Sequence, residues 1–333
     1  MKVKAIINSD IFYKMDKLLG FCTIEVLVKN KKVSIIAANK DIQVIIDEFS
    51  RDGKEDGYKI IPSYLAYAFD RGIELMIESS CIRGGNSTVN IGKWGEKTKV
   101  INVDSDRKIV ITSMREAMKG KYALSRSNEN LVLQAMAIKK KSIYATDRCR
   151  ISKTGLDISE IDHEEILIPL SVVNIIAKMK EVDICSISQD KEYIKFDFGD
   201  IKIISKRIMD RYIDIESYIC KKDRTHICID ADELRQAVIK GDLHNPENIY
   251  LNIYDDNVNV TTEVEAIGVL IKTKVKAKIG GDKLRILFNS KFLIEALERY
   301  SGMIDIYFGS SIEPMTIIQD NKLDLILPLR ADL

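Results

Sequence analysis

Three times along this chain of 333 residues a short apolar strand runs into a helix with a polar cap. The passages are AIINSDIFYKMDKLL from Ala5, IVITSMREAMKGKYAL from Ile109 and ICIDADELRQAVIKG from Ile227. Ser9 or Asp10, Thr112 or Ser113, and Asp230 or Asp232 are the candidate caps, since their short oxygens can accept the unpaired N–H groups of a first turn. A second threefold signal lies midway through each unit: KIIPSYLAYAFDRG, ILIPLSVVNIIAKMK and RILFNSKFLIEALERY. There Pro62, Pro169 and Asn289 occupy equivalent helix-start positions. A unit that recurs at a fixed spacing folds as a module, so the chain is expected to consist of three tandem copies with two helices each.

Between the helices lie strand patterns: TIEVLVKNKKVSIIA, KSIYATDRCRIS, YIKFDFGDIKIIS and NIYLNIYDDNVNVTT. Their turns are expected at Asn30-Lys31, Gly199-Asp200 and Asp255-Asp256. Many antiparallel strands with two helices per unit give an α+β layer, sheet on one side and helices on the other. The domains are expected at residues 1–107, 108–226 and 227–333, with boundaries near Arg107 and His226. No proline-rich or low-complexity linker separates them.

Lysine and arginine number 51 against 50 aspartates and glutamates, so no overall field drives the chain onto nucleic acid or a membrane. Any nucleic-acid contact must come from local segregation of charge. Six scattered cysteines, Cys22, Cys81, Cys149, Cys185, Cys220 and Cys228, lack CxxC spacing and read as free thiols of a reducing compartment. The N-terminus has no apolar run suited to a signal peptide, and no segment is long enough to span a bilayer, so a cytoplasmic location without membrane contact is expected.

The segment Leu325-Ile326-Leu327-Pro328-Leu329-Arg330 is an apolar strand interrupted by a proline. Proline cannot donate to a ladder, so the strand is read as an edge, or as ending at Leu327 with Leu329 and Arg330 near the surface. Leucines exposed beside a fixed proline and an arginine suit one wall of a pocket for an apolar partner.

Several segments resemble the bacterial DNA polymerase III beta subunit, the sliding-clamp family. Ala145-Thr146-Asp147-Arg148-Cys149-Arg150-Ile151 is similar to that family's ATDGHRL segment, and LILPLR to its C-terminal strand. LIPLSVVNIIAKM, SKRIMDRYIDIESYI and FNSKFLIEALERY resemble its second-domain strand-to-helix step, its interdomain loop and its third-domain helix, in the same order. The resemblance spans roughly residues 108–333, while the first hundred residues match in repeat pattern alone.

The resemblance implies a head-to-tail homodimer whose six domains close a ring on double-stranded DNA, with helices inside and sheets outside. Such a ring tethers a replicative DNA polymerase by topology, and a clamp loader places it. Phosphate contacts in a sliding protein must be weak and blind to sequence. The candidates are Lys14, Lys17, Arg115, Lys119, Lys121, Lys178, Lys180, Arg235, Lys240, Lys291 and Arg299, interleaved with Glu116, Glu181, Asp232, Glu295 and Glu298.

The resemblance also implies a groove for short partner peptides, a glutamine followed by hydrophobics. Leu133, Thr146, Arg148, Cys149, Arg150 and Ile151 would form one wall, and Ile213, Ser217 and Tyr218 a second. Asn289 and Phe292, with Leu325, Ile326, Leu327, Pro328, Leu329 and Arg330, would complete it. The chain departs from the family there. Arg148-Cys149 replaces Gly-His, Ile213-Asp214-Ile215 replaces Pro-Asp-Tyr, Ser217 replaces an arginine, and three residues follow Arg330. An altered peptide preference is therefore expected.

Catalysis is weakly supported. Asp104 with Asp106, or Asp255 with Asp256, are the nearest paired carboxylates, yet each lacks a third ligand nearby in sequence, and His163, His226 and His244 are isolated. Arg83-Gly84-Gly85-Asn86 lacks the Lys-Ser/Thr of a phosphate loop and reads as a turn. Cys149, between two arginines, could have a lowered pKa but has no paired histidine. No enzyme activity, cofactor or metal is expected. The competing reading is an interaction protein that keeps the peptide groove without encircling DNA.

Overall fold

The computed structural model describes residues 4–20, 23–29, 32–49, 57–92, 98–105, 108–127, 129–158, 165–179, 183–219, 224–242, 248–254, 256–264 and 268–330. The first repeat runs β1 (Lys4–Asn8), α1 (Asp10–Leu19), β2 (Thr23–Lys29), β3 (Lys32–Ala38), β4 (Ile42–Phe49) and β5 (Gly57–Pro62). A 3-10 helix (Ser63–Ala68), β6 (Glu74–Glu78), β7 (Cys81–Gly84) and β8 (Ser87–Asn90) complete it. The second runs β9 (Ile109–Ile111), α2 (Met114–Met118) with a 3-10 turn (Lys119–Ala123), β10 (Ala135–Lys139), β11 (Ser142–Thr146) and β12 (Arg150–Gly155). It ends with β13 (Ile166–Pro169), α3 (Leu170–Lys178), β14 (Cys185–Gln189), β15 (Tyr193–Asp197) and β16 (Ile201–Lys206). After a 3-10 turn (Glu216–Tyr218), the third has β17 (Thr225–Asp230), α4 (Ala231–Asp242), β18 (Ile249–Tyr254), β19 (Asn257–Val264) and β20 (Val269–Gly281). Then come β21 (Leu284–Phe288), α5 (Ser290–Leu297), β22 (Met303–Phe308), β23 (Met315–Gln319) and β24 (Lys322–Ile326).

Each repeat has the same order of strands and helical elements, and each contributes two four-stranded antiparallel sheets. β1-β6-β7-β8 and β5-β2-β3-β4 belong to the first, β9-β14-β15-β16 and β13-β10-β11-β12 to the second. The third supplies β17-β22-β23-β24 and β21-β18-β19-β20. The chain is α+β, as expected.

By contacts it divides into two compact units. One holds residues Met1–Arg115, Asp157–Ile161 and Pro169–Met209, the other Glu116–Leu156, Asp162–Ile168 and Asp210–Leu333. In the first unit β4 pairs with β16, joining two repeats' sheets into eight strands, with β1-β6-β7-β8 separate. In the second, β12 pairs with β24 and β17 with β20, giving a twelve-stranded sheet.

The helices follow their sequence pattern. α1 buries Ile11, Phe12, Met15 and Leu18, the spacing of one helical face. α4 is capped as expected, Asp230 Oδ1 accepting the N–H groups of Asp232 and Glu233 at 3.0 and 2.9 Å. Asn289 accepts from Phe292 N–H at 3.2 Å and caps α5.

Two helices are shorter than expected. The first repeat's second helix is a 3-10 segment, pinned to α1 by the Tyr67 hydroxyl on Asp16 at 2.5 Å. In the second repeat α2 gives way to 3-10 geometry at Lys119. There Gly120 packs so closely that a Cβ would lie 2.7 Å from Ser152 Oγ. The cap of α2 is neither Thr112 nor Ser113: Arg115 N–H meets Asp183 Oδ1 at 3.2 Å, and Thr112 Oγ1 bonds Asp157.

The Gly199-Asp200 turn is as expected, with Gly199 at φ 85° and Phe198 N–H on Ile201 O. Gly85-Asn86 forms the β7–β8 turn, Gly84 pairing with Ser87. The Asn30-Lys31 turn and Asp255 lie outside the described residues.

The second unit's core gathers Phe288, Leu297, Tyr300, Ile306, Phe308 and Ile326, each worth about 1.5–3 kcal/mol of apolar burial. β24 is central, paired with β12 on one side and β23 on the other, which corrects its reading as an edge. It ends at Ile326. Beyond it Leu327 N–H reaches Cys149 O at 2.9 Å and Leu329 N–H reaches Leu287 O at 2.8 Å. Pro328 falls between these donors, where no N–H is needed.

Candidate partner groove and nucleic-acid interface

Strand register sorts the groove residues onto two faces of the second unit's sheet. Thr146 pairs with Ile151 and Ile151 with Leu325, so these three side chains line one face together with Tyr144 and Lys153. The 3-10 turn after Ile213 is tethered to that face. Glu216 accepts the Tyr144 hydroxyl and, at 2.7 Å, Lys153 Nζ. Lys153, then Tyr144, hold the Glu216 carboxyl below the usual range; burial, reinforced by Glu216, pushes the Tyr144 phenol up. Ile213 and Tyr218 stand exposed on the tethered segment, Tyr218 by 66%. Ser217 donates to Asp214 O.

The opposite face carries Arg150, Ser152, Thr154, Asp324 and Ile326. Asp147 Oδ1 accepts the N–H groups of Cys149 and Arg150 at 3.0 Å each, and Thr146 Oγ1 that of Arg148 at 3.1 Å. This tight turn sets Arg148 at φ 78°, a left-handed conformation that costs an L side chain about 1–2 kcal/mol. The Arg150 guanidinium bonds Asp147 Oδ2 at 2.9 Å and Glu295, and lies 4.2 Å over the Phe292 ring. Arg126 reaches the other Glu295 oxygen at 3.1 Å.

Arg148, Cys149, Ile213, Ser217, Tyr218, Leu327, Leu329 and Arg330 are exposed, and Asn289, Phe292 and Pro328 half-buried. Leu133, Ile151 and Leu325 show only slivers of surface. Thr146, Arg150 and Ile326 are corrected as walls. Thr146 is consumed in the turn, Arg150 in its two carboxylates, and Ile326 in the core. The Tyr144–Glu216–Lys153 tether was missed by sequence reasoning. Its one signal is the alternation that puts Tyr144 and Lys153 on the face of Thr146 and Ile151.

Arg299 is corrected as a candidate phosphate contact. It is 5% exposed, and its NH1 bonds both Asp324 oxygens at 2.7 Å, while Ser152 and Thr154 accept from the same guanidinium. The hydroxyls of Tyr122 and Tyr300 donate to Asp324 at 2.5 and 2.6 Å. Burial, then Asp324, pushes both phenols well up. A buried charge survives only when paired. The network therefore bolts β12 and β24 to the segment that follows α5.

The other candidate phosphate contacts sit on the helices. Lys14, Lys17, Arg115, Lys119, Lys121, Lys178, Lys240 and Lys291 are exposed. Lys119 pairs with Glu116 at 2.6 Å, and half-buried Arg235 with Asp232 at 2.8 Å. Lys180, and with it Asp106, His163 and His244, lie outside the described residues.

Among the described residues no three His, Cys, Asp or Glu side chains gather as a metal site, and no helix is long and apolar enough to cross a membrane. Cys149 is corrected as a low-pKa thiol: burial, then Asp147, raises it against the pull of Arg150.

No protein-family profile matches the chain. It is similar to the beta sliding clamp of Staphylococcus aureus, 27% identical over 200 residues, covering 56% of this chain and 52% of that one. The chain thus spans about half the length of those relatives in the match. Similarity to the Bacillus subtilis beta sliding clamp is 22% over 344 residues, covering 98% of this chain and 80% of the relative. A Pseudomonas aeruginosa sliding clamp, DNA polymerase III subunit beta bound to griselimycin, superposes with a TM-score of 0.89 at 14% identity, over 99% of this chain and 100% of that one. The chain has the sliding-clamp fold, and the resemblance read from its sequence is borne out.

Proposed function

We propose that this chain is a divergent DNA sliding clamp, two copies of which pair head to tail and close six repeats around duplex DNA. The supporting observation is a missing member in a series of strand joints. The last strand of the second repeat pairs with β4 of the first, and the last strand of the third pairs with β12 of the second. By the same rule β8, the last strand of the first repeat, should pair with β20 of the third. Among the described strands β8 pairs only with β7, and the stretch of β20 from Val269 to Lys276 pairs only with β19. A second copy supplies the absent partner to both, and the mutual arrangement closes.

The three domains of this reading are residues 1–107, 108–226 and 227–333. Lys14, Lys17, Arg115, Lys119, Lys121, Lys178, Lys240 and Lys291 supply weak, sequence-blind phosphate contacts, with Lys180 and Arg235 as further candidates. Affinity is replaced by encirclement. The protein works in the cytoplasm and without catalysis.

The groove takes a short peptide from a replicative polymerase or a clamp loader on two apolar patches. Ile151, Ile213, Tyr218, Leu325 and Leu327 form one, and Leu133, Cys149, Phe292 and Leu329 the other, with Asn289 as a polar neighbour. Arg148 and Ser217 at its rim alter peptide preference.

The test is retention on nicked circular DNA after loader-assisted assembly, with release on linearisation. A solution mass near twice 37.8 kDa supports the ring. A monomer at all concentrations, or retention that survives linearisation, overturns it and leaves a peptide-binding protein that does not encircle DNA.

A further inference from the structure

β20 carries an unusual ladder. Lys272, Lys274, Lys276 and Lys278 alternate with the inward Thr273, Val275, Ala277 and Ile279, and all four lysines are exposed. Alternate residues of a strand are about 6.8 Å apart, so the four lysines leave one face of β20 at regular intervals. Lys274 has Asp256 at 4.0 Å, a spacing too loose to neutralise it.

Register extends this face across the neighbouring strands. Lys276, Lys274 and Lys272 lie opposite Asn257, Asn259 and Thr261, which in turn lie opposite Tyr254, Asn252 and Tyr250. Asn252, Asn257, Asn259 and Thr261 are each more than nine-tenths buried, forming a polar floor where a sheet usually carries scattered surface groups. Two clefts open over it. One of about 500 Å³ is lined by Tyr254, Asn257, Asn259, Lys272 and Lys274. The other, about 290 Å³, adds Asn252, Thr261, Glu263, Leu270 and Arg285, so one carboxylate stands at its rim opposite Leu270. Arg285 stacks 4.2 Å over Tyr250, while Tyr254 is 44% exposed and free to stack on a ligand.

We propose that this face of β18, β19 and β20 binds single-stranded DNA, its phosphates along the lysine row and its bases toward Tyr254 and the Asn–Thr floor. A positive track beside an aromatic platform is the arrangement single strands require; the floor holds itself together, Asn252 donating to Asn259 O at 3.2 Å and to Thr261 Oγ1 at 2.8 Å. An acidic peptide fits the row less well. It offers no ring to stack on Tyr254, and competition by polyglutamate distinguishes it. The site does not use the helix lysines and does not depend on ring closure.

Anisotropy of a labelled oligothymidylate, titrated with the full chain, tests this. Four phosphate contacts predict that a fourfold rise in salt weakens binding by about 50-fold. Lys272→Glu with Lys274→Glu should weaken it by at least about tenfold, and Tyr254→Ala by about tenfold. Lys29→Ala with Lys191→Ala, two exposed lysines outside every proposed site, should leave it unchanged. All these side chains are surface groups, and an unchanged far-ultraviolet spectrum verifies each variant's fold. Failure of the oligonucleotide to bind at low salt overturns the proposal. So does binding indifferent to the β20 and Tyr254 variants, or equal competition by polyglutamate or by a duplex of the same length.

Discussion

Replacing Asp324 by alanine removes the carboxylate that pairs with Arg299, 0% and 5% exposed respectively. Both carboxylate oxygens lie 2.7 Å from NH1, and two tyrosine hydroxyls donate to the same group. Without it the guanidinium keeps Ser152 and Thr154, which carry no charge. Breaking a buried pair on one side costs about 3–5 kcal/mol, because the surviving charge is stranded. Each orphaned tyrosine hydroxyl adds a cost of about 1 kcal/mol or more, not additive with the first. Denaturant unfolding followed by circular dichroism should show the transition moving by that amount. Arg299→Met with Asp324→Leu removes both charges in similar volume, and should recover most of the loss. A single variant costing under about 1 kcal/mol, or a double variant as unstable as the single, would refute the reasoning that charge stranding dominates.

Tyr144, Tyr212 and Tyr300 are buried with phenols pushed up, first by burial in each case. Their raised folded pKa values leave stability intact below the unfolded value near 10 and remove it as pH rises beyond, at about 1.4 kcal/mol per phenol per pH unit. Alkaline titration of unfolding should therefore be flat to about pH 9 and then fall; a flat profile to pH 11 would contradict it. Arg148→Gly should leave stability unchanged or raise it by up to about 1 kcal/mol, since φ 78° suits glycine. Arg148→Val should lower it by about 1–2 kcal/mol, and equal unfolding midpoints for the two would count against the left-handed turn. Glu216→Ala should change stability by less than about 1 kcal/mol, yet weaken binding of a glutamine-hydrophobic peptide severalfold by releasing Ile213 and Tyr218. Removing residues from Pro328 onward should abolish that binding while leaving the dimer mass unchanged.

The periodicity of the chain was enough to determine the three repeats, their α+β class and most helix starts. Asp230 and Asn289 cap helices because a cap needs only a short acceptor within three residues, a local relation that sequence displays. Gly199-Asp200 turned where expected for the same reason. The peptide-groove candidates were legible only through resemblance, because they come from segments far apart in the chain.

Other outcomes depended on contacts between distant segments. Arg299 reads as one more helix cation, and only the arrival of Asp324, Ser152 and Thr154 turns it into a buried bolt. α2 gives way to 3-10 geometry where the chain packs at Gly120 against Ser152, and its first-turn acceptor is Asp183, remote in sequence. Pro328 suggests an edge until β12 and β23 flank the strand that precedes it. Local backbone preferences and apolar spacing are written residue by residue, so the sequence by itself determined the elements and their threefold order. Which side chains are desolvated, paired or left facing water depends on what the fold brings against them, and that only the tertiary structure decided.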